Sequence, residues 1–128
     1  MKASSRIEDW LGVVEVSGEL DAATAQQLRD ELYKCIDGGS RWVLVDMLGL
    51  EYIDSVGLGV LIGASKRVSE QGGELAVVCA RPNVMRVFEI SGTGEHLNLC
   101  QAGAEARSLL QELWTAGGGL PQGAINHD

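Results

Sequence analysis

Apolar and polar positions follow two rhythms along this chain. Residues 13–16, 42–46 and 74–80 are short, mostly apolar runs. Runs of this length predict strands, and their near-continuous apolar character predicts that both faces are covered. Helical spacing lies between them. In residues 22–36, Leu28, Leu32 and Ile36 fall one turn apart, with Ala25 and Cys35 beside the stripe. Asp21 or Thr24 is placed to cap this helix, and Thr24 with Gln27 three residues on matches a capping box. Asp37-Gly38-Gly39-Ser40 stops it. A second helix is predicted over about 55–70, ending at Gln71-Gly72-Gly73. A third, over 82–90, has Pro82 at its first position and carries Val84, Val87 and Phe88. A fourth, over 104–114, puts Leu109, Leu110, Leu113 and Trp114 on one side. Weaker signals suggest a short strand near 97–100 and a first strand within 2–8, joined as a hairpin to 13–16. Residues 46–54 read as a loop.

Strands alternating with helices predict an α/β domain: a mixed, mostly parallel sheet of about five strands with about four helices. The domain is expected over residues 1–115. Residues 116–128 open with a glycine run and have no periodicity, which predicts a flexible tail.

Composition narrows the function. The chain has 128 residues, 45% hydrophobic and 22% charged, enough for a core without disulfides or metal. Its formal net charge of -8 disfavours nucleic-acid binding and favours a partner with a basic face. No apolar leader opens the chain and no run approaches a membrane span, so a cytoplasmic protein is expected. Three cysteines, Cys35, Cys79 and Cys100, are widely spaced, matching neither a disulfide framework nor a zinc site. Cys79 and Cys100 end successive predicted strands, so a redox-formed disulfide between them is conceivable beside the simpler reading of buried thiols.

The chemistry concentrates in residues 43–67. Gly57, Gly59 and Gly63 follow a strand, as in a dinucleotide loop. A loop over 47–54 intervenes, however, and Arg81 stands where a ribose-binding acid belongs. Packing is the better account. Leu58, Leu61, Ile62 and Ser65 form one helix stripe, and Val56, Gly59, Val60 and Gly63 form a second apolar face. That second face either packs on a neighbouring helix or is left open for docking.

Ser55 sits at the predicted helix start, where serine commonly serves as N-cap, a role Asp54 can equally fill. The same place suits a switch. A phosphate there would meet free N–H groups and the positive end of the helix, while adding charge beside Asp54. Asp21 follows its strand much as Asp54 does, and both belong at the carboxyl edge of a parallel sheet. It is either a cap or a group that orients the serine or a partner cation. No catalytic set is visible: His96 and His127 are the two histidines, and Ser55 has no evident base.

Several segments together resemble the STAS domain, and within it the bacterial anti-sigma factor antagonists. They are Gly18-Glu19-Leu20-Asp21, Val45-Asp46, Tyr52-Ile53-Asp54-Ser55-Val56-Gly57-Leu58-Gly59-Val60-Leu61, Gly72-Gly73-Glu74-Leu75 and Val84-Met85-Arg86-Val87-Phe88. The resemblance implies a non-enzymatic protein without a cofactor of its own. It implies that the unphosphorylated form binds an anti-sigma factor of the ATP-dependent serine-kinase type and releases the sigma factor. That kinase would phosphorylate Ser55, a serine phosphatase would reset it, and ATP and magnesium belong to the partner. The implied docking surface comprises Asp21, Ala22 and Thr24, with Asp54, Ser55, Val56, Gly57, Leu58, Gly59, Val60, Ile62 and, by its place on the second face, Gly63. Many members carry a second hydroxyl residue where this chain has Val56, which leaves Ser55 as the acceptor here. The size suggests a monomer when free. The alternative within the same fold is a scaffold subunit of another partner-switching, stress-sensing or lipid-transport complex.

Overall fold

The apolar runs assemble in the expected manner: the amino-terminal hairpin forms, and the sheet has four strands rather than about five because the one at the far edge is missing. In the computed structural model, which describes residues 1–117, β1 (Lys2–Glu8) and β2 (Leu11–Leu20) form an antiparallel hairpin. β3 (Trp42–Ile53) and β4 (Glu74–Val78) add to it in parallel, giving a four-stranded mixed sheet in the order β1-β2-β3-β4. The helices are α1 (Ala25–Asp37), α2 (Ser55–Glu70), α3 (Pro82–Ser91) and α4 (Gly103–Ala116). Ala116, the first residue of the expected tail, closes α4, and from residue 118 onward that expectation lies outside the described residues.

Successive strand residues point to opposite faces, and each face has its own core. Val14, Val16, Val43, Val45, Leu75 and Val77 face Leu28 and Leu32 of α1, Leu61 and Val68 of α2, and Val84 and Phe88 of α3. Leu11, Val13, Leu44, Ala76 and Val78 face Ala106 and Leu110 of α4. Fully burying one such aliphatic side chain is worth about 1.5–3 kcal/mol, so both cores are needed to order a sheet this small. The end of α4 is pinned to the β1–β2 turn. Trp114 stacks on Trp10 with ring centres 4.6 Å apart, and Arg107 donates to Glu8 at 2.8 Å.

Three expectations change. The strand near 97–100 reduces to a single parallel bridge between Cys100 and Val78. Asn98 takes a left-handed conformation (φ 50) and donates its amide to Leu75 O at 2.9 Å, so a turn rather than a ladder covers the β4 edge. The loop over 46–54 is strand. β3 runs on to Ile53, and its register against β2 shifts twice, between Glu15 and Ser17 and between Gly18 and Glu19. Bulges of this kind break the period-2 pattern that marks a strand. Finally, Cys79 belongs to the first core and Cys100 to the second, so their side chains point to opposite faces and no disulfide joins them. Burial pushes the Cys79 thiol up to about 11, leaving it protonated and unreactive at neutral pH.

Candidate functional site

β2 and β3 end side by side. Leu20 is in register with Ile53, and Asp54 N–H donates to Leu20 O at 3.1 Å. The aspartates that follow the two strands therefore sit on one edge of the sheet, as the parallel arrangement requires. Each accepts backbone N–H groups of the turn that follows in the same way. Asp21 Oδ1 accepts from Ala23 N–H at 2.9 Å and Thr24 N–H at 3.1 Å. Asp54 Oδ1 accepts from Val56 N–H at 3.0 Å and Gly57 N–H at 3.1 Å. Asp54, not Ser55, is thus the N-cap of α2. The expected capping box at Thr24 and Gln27 does not form. The Thr24 hydroxyl accepts from Asp21 N–H at 3.0 Å and donates to Glu19 O at 2.8 Å, closing the turn, and α1 starts only at Ala25.

Ser55 is the first residue of α2 and is exposed. Its hydroxyl has no hydrogen-bond partner among the described residues. The free N–H groups expected to hold a phosphate there are not free, because the Asp54 carboxylate already takes those of Val56 and Gly57. What remains for a phosphate is the N–H of Ser55 and the positive end of the helix, opposed by the charge of Asp54. The same occupancy answers the dinucleotide reading. With β3 extended, only Asp54 separates strand from helix, so the intervening loop is gone as an objection. Its place is taken by two others: the N–H groups of Val56 and Gly57 are used, and Gly59 and Gly63 lie beyond the first turn.

The predicted docking residues divide. Gly57 and Leu58 face inward. A Cβ on Gly57 would lie 2.4 Å from Leu20 Cγ, and Leu58 is 7% exposed in the first core. Val60 and Ile62 are half-buried and pack against that core. Gly63 faces α1, with the Tyr33 hydroxyl 3.8 Å from where its Cβ would stand. Ala22, Ser55, Val56 and Gly59 are exposed, and Asp21, Thr24 and Asp54 half-buried beside them. Val56 is 47% exposed and a Cβ on Gly59 would meet nothing within 4 Å. The second apolar face is therefore shared, one part covered by α1 and one part open next to Ser55.

Two residues that pattern reading passed over hold this edge in shape. β4 pairs with β3 only as far as Asp46, so the far side of β3 has no neighbouring strand beyond it. Side chains from the start of α3 substitute: Arg81 Nε donates to Leu50 O at 3.2 Å and Asn83 Nδ2 to Glu51 O at 2.8 Å. The only trace of this in the sequence is a polar pair flanking Pro82.

A family model described as the STAS domain matches residues 2–106 of this chain. BtrV of Bordetella bronchiseptica, provisionally designated an anti-sigma factor antagonist, is 37% identical over 92 residues, 72% of this chain and 79% of the relative. The anti-sigma F factor antagonist of Paenibacillus polymyxa is 35% identical over 81 residues, 62% of this chain and 69% of the relative. Among solved structures, the unphosphorylated anti-sigma factor antagonist SpoIIAA superposes with a TM-score of 0.74 at 22% identity, covering 87% of this chain and 97% of that one. The phosphorylated form of the Bacillus SpoIIAA protein superposes at 0.66, also at 22% identity, over 84% and 98%.

Proposed function

The chain belongs to the STAS domain family, among the anti-sigma factor antagonists, and from that premise we propose that it is a partner switch thrown at Ser55. Unphosphorylated, it binds an anti-sigma factor of the ATP-dependent serine-kinase type through the Asp21 and Asp54 junctions and the open part of α2. The bound sigma factor is thereby released. The kinase then transfers a phosphate to the Ser55 hydroxyl, the complex separates, and a serine phosphatase restores the binding form. Nucleotide and magnesium are held by the kinase, and this chain acts by binding rather than catalysis, in the cytoplasm. Among the described residues no helix is long and apolar enough to cross a membrane.

The observation that carries this reading is the setting of one hydroxyl. Ser55 is exposed and unbonded, it heads the open strip of Val56 and Gly59, and Asp54 fixes the backbone beneath it. An exposed hydroxyl on a rigid turn can enter a kinase site without unfolding the helix. Once phosphorylated, it adds about 1.5–2 negative charges next to Asp54. The same surface can then be buried only by desolvating a dianion among carboxylates, which opposes association.

Incubation with the cognate kinase and magnesium-ATP, followed by mass spectrometry, tests the assignment. Phosphate is expected on Ser55 alone. Ser55→Ala should accept none and still bind the kinase, while Ser55→Glu should bind more weakly. Phosphate on another residue of Ser55→Ala would sink the proposal.

A further inference from the structure

The strip on α2 continues past Gly63. One turn on stands Arg67, whose guanidinium carbon lies 5.5 Å from the centre of the Tyr33 ring of α1. Arg29, one turn before Tyr33 on α1, places its guanidinium carbon 4.7 Å from the same ring. Tyr33 itself leans across to α2, with its hydroxyl opposite Gly63. Two guanidinium groups therefore share one aromatic ring at the seam between the helices. Arg67 is matched by Asp37 at 3.3 Å, a pair with both side chains exposed. Arg29 has no carboxylate at salt-bridge distance among the described residues.

Arg29 is thus unmatched positive charge on a chain whose net charge is -8. Holding two like charges on one ring opposes folding through their repulsion, and exposed cation–π contacts are individually weak. An incoming carboxylate changes the balance. A guanidinium held over a ring has lost part of its rotamer freedom, and the planar fork of Arg29, which has no carboxylate partner among the described residues, suits a bidentate contact. The other end of the strip has the opposite sign, with Asp21, Asp54 and the exposed Glu19 around Ser55.

We infer that Arg29 and Arg67, seated on Tyr33, are a second anchor for the partner, and that they take an acidic segment of it. The occupant is the kinase-type anti-sigma factor, so the inference rests on the proposed function. The strip is then polarised. A partner lying along α2 meets acids at Ser55 and cations at Tyr33, and can dock in one direction only. That direction delivers Ser55 to the kinase site, and a partner of uniform charge is repelled at one end or the other.

The test uses a purified anti-sigma kinase that phosphorylates the wild-type chain. Its affinity is measured by calorimetry for wild type, for Arg29→Glu/Arg67→Glu, and for Arg41→Glu/Arg86→Glu, which makes the same change in net charge off the α1–α2 seam. Measurements are made in about 50 mM and about 500 mM salt, where screening differs severalfold. The seam variant is expected to bind about tenfold more weakly in low salt, with the gap narrowing in high salt, and the control to stay near wild type. The single change Arg29→Gln, at an exposed position, should give a smaller loss in the same direction, which covers a folding defect in the double variant. Equal binding of seam variant and wild type overturns the inference, as does an equal loss in the control. If no kinase binds or phosphorylates the wild type, it is the partner-switch reading that falls.

Discussion

The two strand-to-helix junctions are built alike and behave differently. In each, an aspartate follows a parallel strand and its Oδ1 accepts from the N–H groups two and three residues on, at 2.9 and 3.1 Å in one and 3.0 and 3.1 Å in the other. They differ at all three following positions, and two of the differences matter here. Next after the aspartate stands Ala22 in the first and Ser55 in the second; two further on stands Thr24 in the first and Gly57 in the second. Thr24 turns its hydroxyl back on its own junction, which spends a turn of chain before α1 begins. Gly57 lets Leu20, the last residue of β2, press against α2. The helix therefore begins at once, and the residue lifted into solvent at its start is the one with a hydroxyl. One junction is closed on itself; the other is open and is braced by the first.

Moving the hydroxyl is the sharpest way to break this comparison. Ser55→Ala should abolish phosphorylation with a stability change within about 0.5 kcal/mol, as expected of an exposed residue that is not the cap. Ala22→Ser placed in that background gives the first junction an aspartate-serine pair of its own. It should remain unphosphorylated, because that junction lacks the immediate helix start and the open strip beyond it. Kinase assays on the double variant check this, and phosphate on the introduced serine would show that an aspartate-serine pair suffices.

The brace comes next in size. A side chain on Gly57 runs into Leu20, which is fully buried. Gly57→Val should cost about 2 kcal/mol or more from overpacking, and Gly57→Ala somewhat less, because alanine recovers up to about 1 kcal/mol of helix propensity. Urea titration measures both.

How much of this was legible in the sequence varies with the physics involved. The helices and inner strands were, because Leu28, Leu32 and Ile36, or the run at Val43, report burial by spacing alone. The carboxyl edge was also legible, since parallel strands must end together and both carry an aspartate. The second half of β3 was not. Two register shifts put exposed Leu48, Gly49, Glu51 and Tyr52 among buried Met47, Leu50 and Ile53, and neither period survives. Gly57 is counted with the docking surface in the sequence because its true neighbour, Leu20, is remote along the chain. Cys79 and Cys100 looked pairable because chain order says nothing of which face a residue takes once a strand shrinks to one bridge. The sharing of Tyr33 by Arg29 and Arg67 depends on how α1 and α2 cross, which no local pattern encodes.

A smaller effect separates the two aspartates. Asp54→Ala leaves two N–H groups at the start of α2 without their acceptor and should cost about 1 kcal/mol. Asp21→Ala should cost less, about half as much. Thr24 N–H also points to Asp21 O at 3.1 Å, and the Thr24 hydroxyl still ties the turn to Glu19 O. Chemical denaturation of the two variants side by side decides it. Equal losses would mean that the threonine contributes nothing to the first junction.

The smallest expected change is the most discriminating, because its two readouts move in opposite directions. Gly59 lies in the interior of α2, and a Cβ there would meet nothing within 4 Å. Unlike Gly57 it is not held by packing, and unlike Gly18 it has no left-handed backbone to protect. Gly59→Ala should therefore stabilise the isolated protein by about 0.5–1 kcal/mol through helix propensity alone. A folding argument gives no reason for glycine at this position. A docking argument does: the missing side chain leaves the surface beside Val56 flat enough for a partner's backbone to approach. On that account the variant melts at a higher temperature and binds the anti-sigma kinase more weakly, and Gly59→Leu exaggerates the binding loss. Higher stability with unchanged binding would place the partner elsewhere on α2. Lower stability would mean that the open space beside Gly59 is filled in solution.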